Sequence, residues 1–149
     1  MPGNYSVSGS DTNTASTTIL GIVAAATVRP RIYDVVLSST ATPADNAGNY
    51  SLKRTTTAGT ATAVTPQALD SANPAAVTTA GKAHTAEPTY TAGSDVLYIS
   101  TNQRATFRWV AAPGGELVVP ATANNGIGLL VNSIGGSAVT VDAMFHFTE

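Results

Sequence analysis

The sequence predicts an all-β protein, an antiparallel β-sandwich of about eight strands, and three observations carry that expectation. Apolar residues recur with a period of two, most plainly where Val139, Val141, Ala143, Phe145 and Phe147 alternate with Thr140, Asp142, Met144, His146 and Thr148. Turn-forming residues interrupt the chain at short intervals, as at Pro30, Pro43, Gly59, Pro113-Gly114-Gly115, Asn124-Asn125-Gly126 and Gly135-Gly136. No stretch has a helical period; the one helix-compatible piece, Pro66–Ser71, is a turn at most. Many short strands with tight turns point to a jelly roll in particular.

Each element can be read in order. Residues 1–17 are polar, with Gly3, Gly9, Asp11 and Asn13 and no apolar period, and read as an extended N-terminal arm. Such an arm is expected to lie on a neighbouring chain, which makes Asp11 and Asn13 candidate interface residues. Residues 18–149 read as one sandwich domain. Its first strand is Ile19–Ala26, a run rich in β-branched and small residues, and its second is Arg31–Ser39 between Pro30 and Pro43. Tyr50, Leu52 and Arg54 alternate with Ser51, Lys53 and Thr55 in a third. Residues 60–94, dense in Thr, Ala, Pro and Gly, read as irregular. Val96–Ser100 is a short strand, and Ala105, Phe107, Trp109 and Ala111 alternate with Arg104, Thr106, Arg108 and Val110 in another. Glu116–Val119, Ile127–Asn132 and Ala138–Thr148 complete the set, the glycines between them supplying positive φ in turns.

Composition narrows the function classes. The 149 residues suit one domain. Charged residues are only 11% of the chain, against about 25% in an ordinary soluble domain. With 43% hydrophobic content the chain should fold, yet its surface must be weakly ionised. Charge keeps free domains apart, so such a surface is expected to lie against neighbouring proteins. A net charge of −2 with only 7 Lys and Arg argues against nucleic acid. The longest apolar run, Ile19–Val28, is broken by Gly21 and Thr27 and is far shorter than the roughly 20 residues of a bilayer span. No Lys or Arg precedes it, so it does not read as a signal peptide, and synthesis in the cytoplasm is expected. The absence of cysteine removes disulfides, thiolate metal sites and cysteine nucleophiles.

Catalytic patterns are scarce. There are two histidines. His84 lies three residues before Glu87, a spacing that could begin a metal site, but no further ligand is near in sequence; the simpler reading is a pair that fixes a loop. His146 falls on the outward phase of the last strand with Asp142, and both are candidate contact residues. No serine has the Gly-x-Ser-x-Gly spacing of a nucleophile elbow. Asp34, Asp95, Glu116 and Asp142 fall at ordinary strand and turn positions. The expectation is no enzyme, no cofactor, no metal and no small-molecule substrate. Trp109, in phase with Phe107, reads as core. Arg104 and Arg108 on the opposite phase read as a guanidinium pair suited to a carboxylate on a partner.

The run Gln103-Arg104-Ala105-Thr106-Phe107-Arg108-Trp109-Val110-Ala111-Ala112-Pro113-Gly114-Gly115-Glu116-Leu117-Val118-Val119-Pro120, continuing through Asn124-Asn125-Gly126-Ile127-Gly128, resembles a family of small decoration (cement) proteins of tailed-bacteriophage capsids. Lys53-Arg54-Thr55-Thr56, Val64-Thr65-Pro66, Leu69-Asp70 and His84-Thr85-Ala86-Glu87-Pro88-Thr89-Tyr90 are similar too, so the likeness covers about residues 50–149. The resemblance implies a jelly-roll domain, a homotrimer, and a seat on the virion exterior where major capsid protein subunits meet, after synthesis in the bacterial host cytoplasm. It carries no catalytic residues. Two other classes stay open: a tail, fibre or carbohydrate-binding sandwich, for which 6% aromatic content is low, and a metalloenzyme on a cupin-like scaffold.

Overall fold

A computed structural model describes residues 3–13 and 16–149. Among these residues there is no helix, and twelve strands follow one another: β1 (Asn4–Asn13), β2 (Thr17–Val23), β3 (Arg31–Thr40), β4 (Ala47–Thr55), β5 (Thr60–Val64), β6 (Gln67–Ala68), β7 (Thr79–Ala86), β8 (Tyr90–Asn102), β9 (Phe107–Val110), β10 (Leu117–Val118), β11 (Gly126–Ile134) and β12 (Val139–Thr148). They form two packed antiparallel sheets. The first runs β10-β3-β12-β1-β6, with β9 also on β3; the second runs β5-β7-β2-β11-β4-β8.

The pairing is nested. β1 pairs with β12 and β2 with β11, and the next strands return to the same partners, β3 to β12 and β4 to β11. β5, β6 and β7 form an insertion between β4 and β8. β5 and β7 extend the second sheet beyond β2, while β6 extends the first beyond β1.

Alternation explains the core. Val141, Ala143, Phe145 and Phe147 of β12 face inward with Tyr5 and Val7 of β1 and Val35 and Leu37 of β3. They meet Leu20, Ile22, Tyr50, Leu52, Ile127 and Leu129 of the second sheet. The Tyr5 ring stacks on Phe147 with centroids 5.5 Å apart. Such stacking adds to an already large apolar burial. The total surface of 6951 Å² is what a compact monomer of this mass exposes, roughly 7,000 Å².

One irregularity matters for the outer face. Ile32 and Asp34 share a parity, so a regular strand would send both side chains the same way. The β3–β12 register slips between His146 and Phe147, placing Ile32 opposite Phe147 and Asp34 opposite His146. Tyr33 is the extra residue of this bulge. The bulge lets Ile32 enter the core while Asp34 turns onto the outer face, the re-aiming that bulges provide.

Several expectations need correction. Asn4–Asn13 is not a free arm; it pairs with β12 along all ten residues. Its inward signal is carried by Tyr5 and Val7 alone, too little to read as a strand. Residues 1, 2, 14 and 15 of the expected arm lie outside the described residues. The stretch 60–94 contains β5, β6, β7 and the start of β8. Gly114 and Gly136 do take positive φ, at 81° and 76°, but Gly126 and Gly128 lie within β11. Asn124 takes the left-handed position of that turn (φ 69°), and a Cβ on Gly126 would run into the Ile22 carbonyl. Arg104 belongs to the turn before β9, so it does not share a strand face with Arg108. Trp109 packs against the core but is only half-buried.

Candidate functional site

The outer face of the first sheet brings together three of the residues that the sequence singled out, Arg108, Asp142 and His146. Its central strand β12 contributes Asp142, Met144 and His146; β3 contributes Asp34, Val36 and Ser38 alongside them. β9 adds Arg108 opposite Val36 and Val110 opposite Asp34. On the other side, Ser8 and Ser10 of β1 lie opposite Met144 and Asp142.

Asp34 organises this face. It is only 3% exposed although it lies on an outer phase. Arg108 donates to it twice, from Nε to Oδ1 at 3.0 Å and from Nη2 to Oδ2 at 2.7 Å. His146 approaches Oδ2 through Nδ1 at 3.2 Å, and a carboxylate acceptor makes Nδ1 the protonated nitrogen. The Tyr33 ring flanks the imidazole with centroids 6.0 Å apart. The hydrogen bonds from Arg108 hold the Asp34 carboxyl below the usual carboxylate range; burial opposes this, and the charge of Arg108 and the proximity of His146 reinforce it. The same carboxylate raises the Arg108 guanidinium. Burial, and then the Asp34 charge, push the Tyr33 phenol up.

The carboxylate that Arg108 was expected to find on a partner is therefore its own chain's Asp34. The Arg108 side chain stays 62% exposed, so the guanidinium is held by one edge while its remaining N–H groups face outward. A preorganised arginine of this kind can receive an acceptor without losing side-chain freedom. Beside it, Asp142, Met144 and Lys82 line a shallow depression of about 310 Å³ with Ser8, Ser10, Val36 and Ser38. Arg108, His146 and Asp142 thus share one face.

The other candidates lie elsewhere. Arg104 is exposed on its turn, with Nε donating to the Pro43 carbonyl at 3.3 Å. Asp11 lies opposite Val141, in phase with Tyr5 and Val7, and its carboxylate accepts the Thr12 amide at 2.8 Å. The backbone of Asn13 pairs opposite Val139 at the end of β1. Asp34 is the residue that sequence reasoning passed over. Its signal was a single carboxylate inside Ile32-Tyr33-Asp34-Val35-Val36-Leu37, a run in which a buried charge requires a partner.

His84 and Glu87 converge on Thr18. His84 Nδ1 donates to the Thr18 carbonyl at 3.0 Å. The Glu87 carboxylate accepts the Thr18 amide at 3.1 and 3.0 Å and also the Thr18 hydroxyl, which lies 2.5 Å from the Tyr90 hydroxyl. His84 is a residue of β7 and not of a loop, and with Glu87 just beyond that strand it binds Thr18 of β2. Among the described residues no group of three or more His, Asp or Glu is placed to hold a metal ion. Compared with family models, curated proteins and solved structures, the chain matches none of them.

Proposed function

We propose that this chain is a structural virion protein that binds the outer surface of an assembled tailed-phage capsid as a homotrimer and stabilises the lattice. The observation that carries the reading is the chemistry of the first sheet's outer face. Its buried acid is neutralised internally by Arg108 and also hydrogen-bonded by His146. Otherwise it presents mostly Ser, Thr, Val and Met, with Asp142 and Lys82 at the depression. A broad face with little free charge is poorly suited to holding water and well suited to shape-matched contact with another protein. The nested pairing β1–β12–β3 and β2–β11–β4 supports reading the sandwich as a jelly roll, in keeping with the likeness over residues 50–149.

The physical gain of such a protein follows from linkage. A ligand that binds the assembled lattice and not its separate subunits stabilises the assembly. Three copies held together add avidity, because one seated copy raises the local concentration of the next. The test is co-sedimentation of the purified protein with expanded capsids and with free capsid subunits, followed by heating of decorated and bare particles. Binding confined to assembled capsids, with later release of DNA on heating, is the expected result. Equal binding to free subunits, or equal heat resistance, refutes the role.

A further inference from the structure

The outer face of the second sheet holds a cavity that the reading above does not use. Three glycines lie in register across adjacent strands, Gly81 of β7 beside Gly21 of β2 beside Gly128 of β11. With no side chains of their own they make room for others: the Ala61 methyl lies over Gly81 and the Tyr90 hydroxyl over Gly128. Ala58, Gly59, Ala61, Ala63 and Pro88 form the walls around a space of about 220 Å³. His84 lines it as well. Its ring lies over Gly21, where a Cβ would sit 3.6 Å from Cε1 and 3.7 Å from Nε2.

The imidazole gives the cavity its chemistry. His84 is only 8% exposed. Its Nδ1–H is committed to the Thr18 carbonyl, so in the neutral ring Nε2 carries the lone pair. Among the described residues Nε2 has no hydrogen-bonding partner. The space is thus largely apolar, with Thr55 and Thr79 also in its lining and His84 Nε2 as an unpartnered acceptor. A ligand that suits it is a small apolar group carrying one hydroxyl donor, such as a phenol.

The chain displays such a group. Tyr98 is 70% exposed, the most exposed of its large hydrophobic side chains. It lies opposite Ser51, on the outward phase of β8 and on the same sheet face as the cavity. Its hydroxyl has no partner among the described residues. It cannot fill its own chain's cavity: in the order β7-β2-β11-β4-β8, β8 lies three strand spacings from β2, about 14 Å. We propose that the cavity receives the Tyr98 ring of a second copy of the chain, its hydroxyl donating to His84 Nε2. Knob and hole on one face let each copy act as both donor and receptor, in a reciprocal pair or a closed ring. The inference does not rest on capsid binding.

The test compares sedimentation velocity across a concentration series for the wild-type chain, Tyr98→Ala, Tyr98→Phe and the cavity-filling Ala58→Leu, with circular dichroism to verify the fold. p-Cresol is then titrated into Tyr98→Ala and into the double variant carrying Ala58→Leu, with NMR detection of the His84 imidazole nitrogens. Self-association of the wild type, at least tenfold weaker in Tyr98→Ala and Ala58→Leu and intermediate in Tyr98→Phe, is expected. p-Cresol should shift the His84 Nε2 resonance in Tyr98→Ala and not in the filled double variant. A wild type that stays monomeric overturns the proposal, as does a Tyr98→Ala that associates like wild type even if p-cresol binds. A His84 resonance indifferent to p-cresol removes the phenol site itself. None of these readouts involves a capsid, so a failure of the capsid role is separately visible.

Discussion

Arg108 of β9 and Asp34 of β3 meet through two parallel hydrogen bonds, 3.0 and 2.7 Å long, between an exposed guanidinium and a buried carboxylate. The buried partner gives the relationship its weight. A carboxylate out of water needs donors, and here Arg108 and His146 supply them.

Asp34→Asn should therefore destabilise the fold by about 1–3 kcal/mol at neutral pH, because it exchanges a charge-assisted network for a partly mismatched amide. The acid dependence has a definite sign. The folded-state pKa of Asp34 is depressed, so its contribution is complete above the ordinary carboxylate range and is lost as pH falls through the folded value. Urea denaturation across the acid range should show wild type and Asp34→Asn converging as pH falls. A constant gap would show that Asp34 gains nothing from its charge.

Thr18 is fully buried, and its hydroxyl meets both Glu87 and Tyr90. Thr18→Val keeps the shape and removes the oxygen, leaving both partners short of a hydrogen bond. A loss of about 1–3 kcal/mol is expected in chemical denaturation. Amide exchange should also accelerate across residues 84–90, while β12 stays protected.

Phe145 has no exposed surface and lies at the centre of the inward row of β12. Phe145→Ala should cost about 3–5 kcal/mol, through lost burial and the cavity left behind. Thermal unfolding is the measurement, and the full circular-dichroism spectrum should be retained below the lowered midpoint.

The N-terminal segment provides a sharper test of the fold. With Asn4–Asn13 paired along β12 and Tyr5 and Val7 in the core, its amides should exchange as slowly as those of β12 in the isolated protein. Deleting residues 1–13 should prevent folding, since it uncovers one whole edge of β12. A stable, well-dispersed truncated protein would contradict the pairing.

Val110 is 57% exposed on the face that holds Arg108 and Met144. Val110→Glu should leave stability within about 0.5 kcal/mol of wild type, as expected for a surface position. If this face seats on a capsid, the same change should weaken capsid binding at least tenfold in co-sedimentation. Unchanged binding would move the contact to another surface.

How far the sequence spoke depended on side-chain size. β12 and β3 were legible because Val, Ile, Leu and Phe mark the inward phase strongly. β1 was hidden because only Tyr5 and Val7 carry that mark before Gly9 and Asp11 continue it. β7, Thr79–Ala86, has no large apolar residue to mark an inward phase, and its alternation is interrupted at Ala83, which has a φ of 48°. The outer-face cluster was half legible. Arg108, His146 and Asp142 were placed on outward phases, but the Tyr33 bulge that turns Asp34 toward them leaves no mark in the residue types. Arg104 was misplaced for a similar reason. The turn before β9 contains neither Gly nor Pro, and is held instead by the buried Gln103 side chain on the Ala44 amide and the Gly135 carbonyl.

The pairing of β1 with β12 joins segments from opposite ends of the chain, and Gly3 and Glu149 exchange backbone hydrogen bonds at 3.1 and 3.2 Å. A ribosome making this polypeptide delivers β12 long after β1 has emerged. Until then β1 has only the two-residue β6 beside it, and the centre of its sheet cannot close. Acquisition of the native state thus waits for β12 and is slow, as for other topologies dominated by distant pairings. A nascent chain stalled before residue 139 should remain an open template, vulnerable to proteases and to pairing with its siblings.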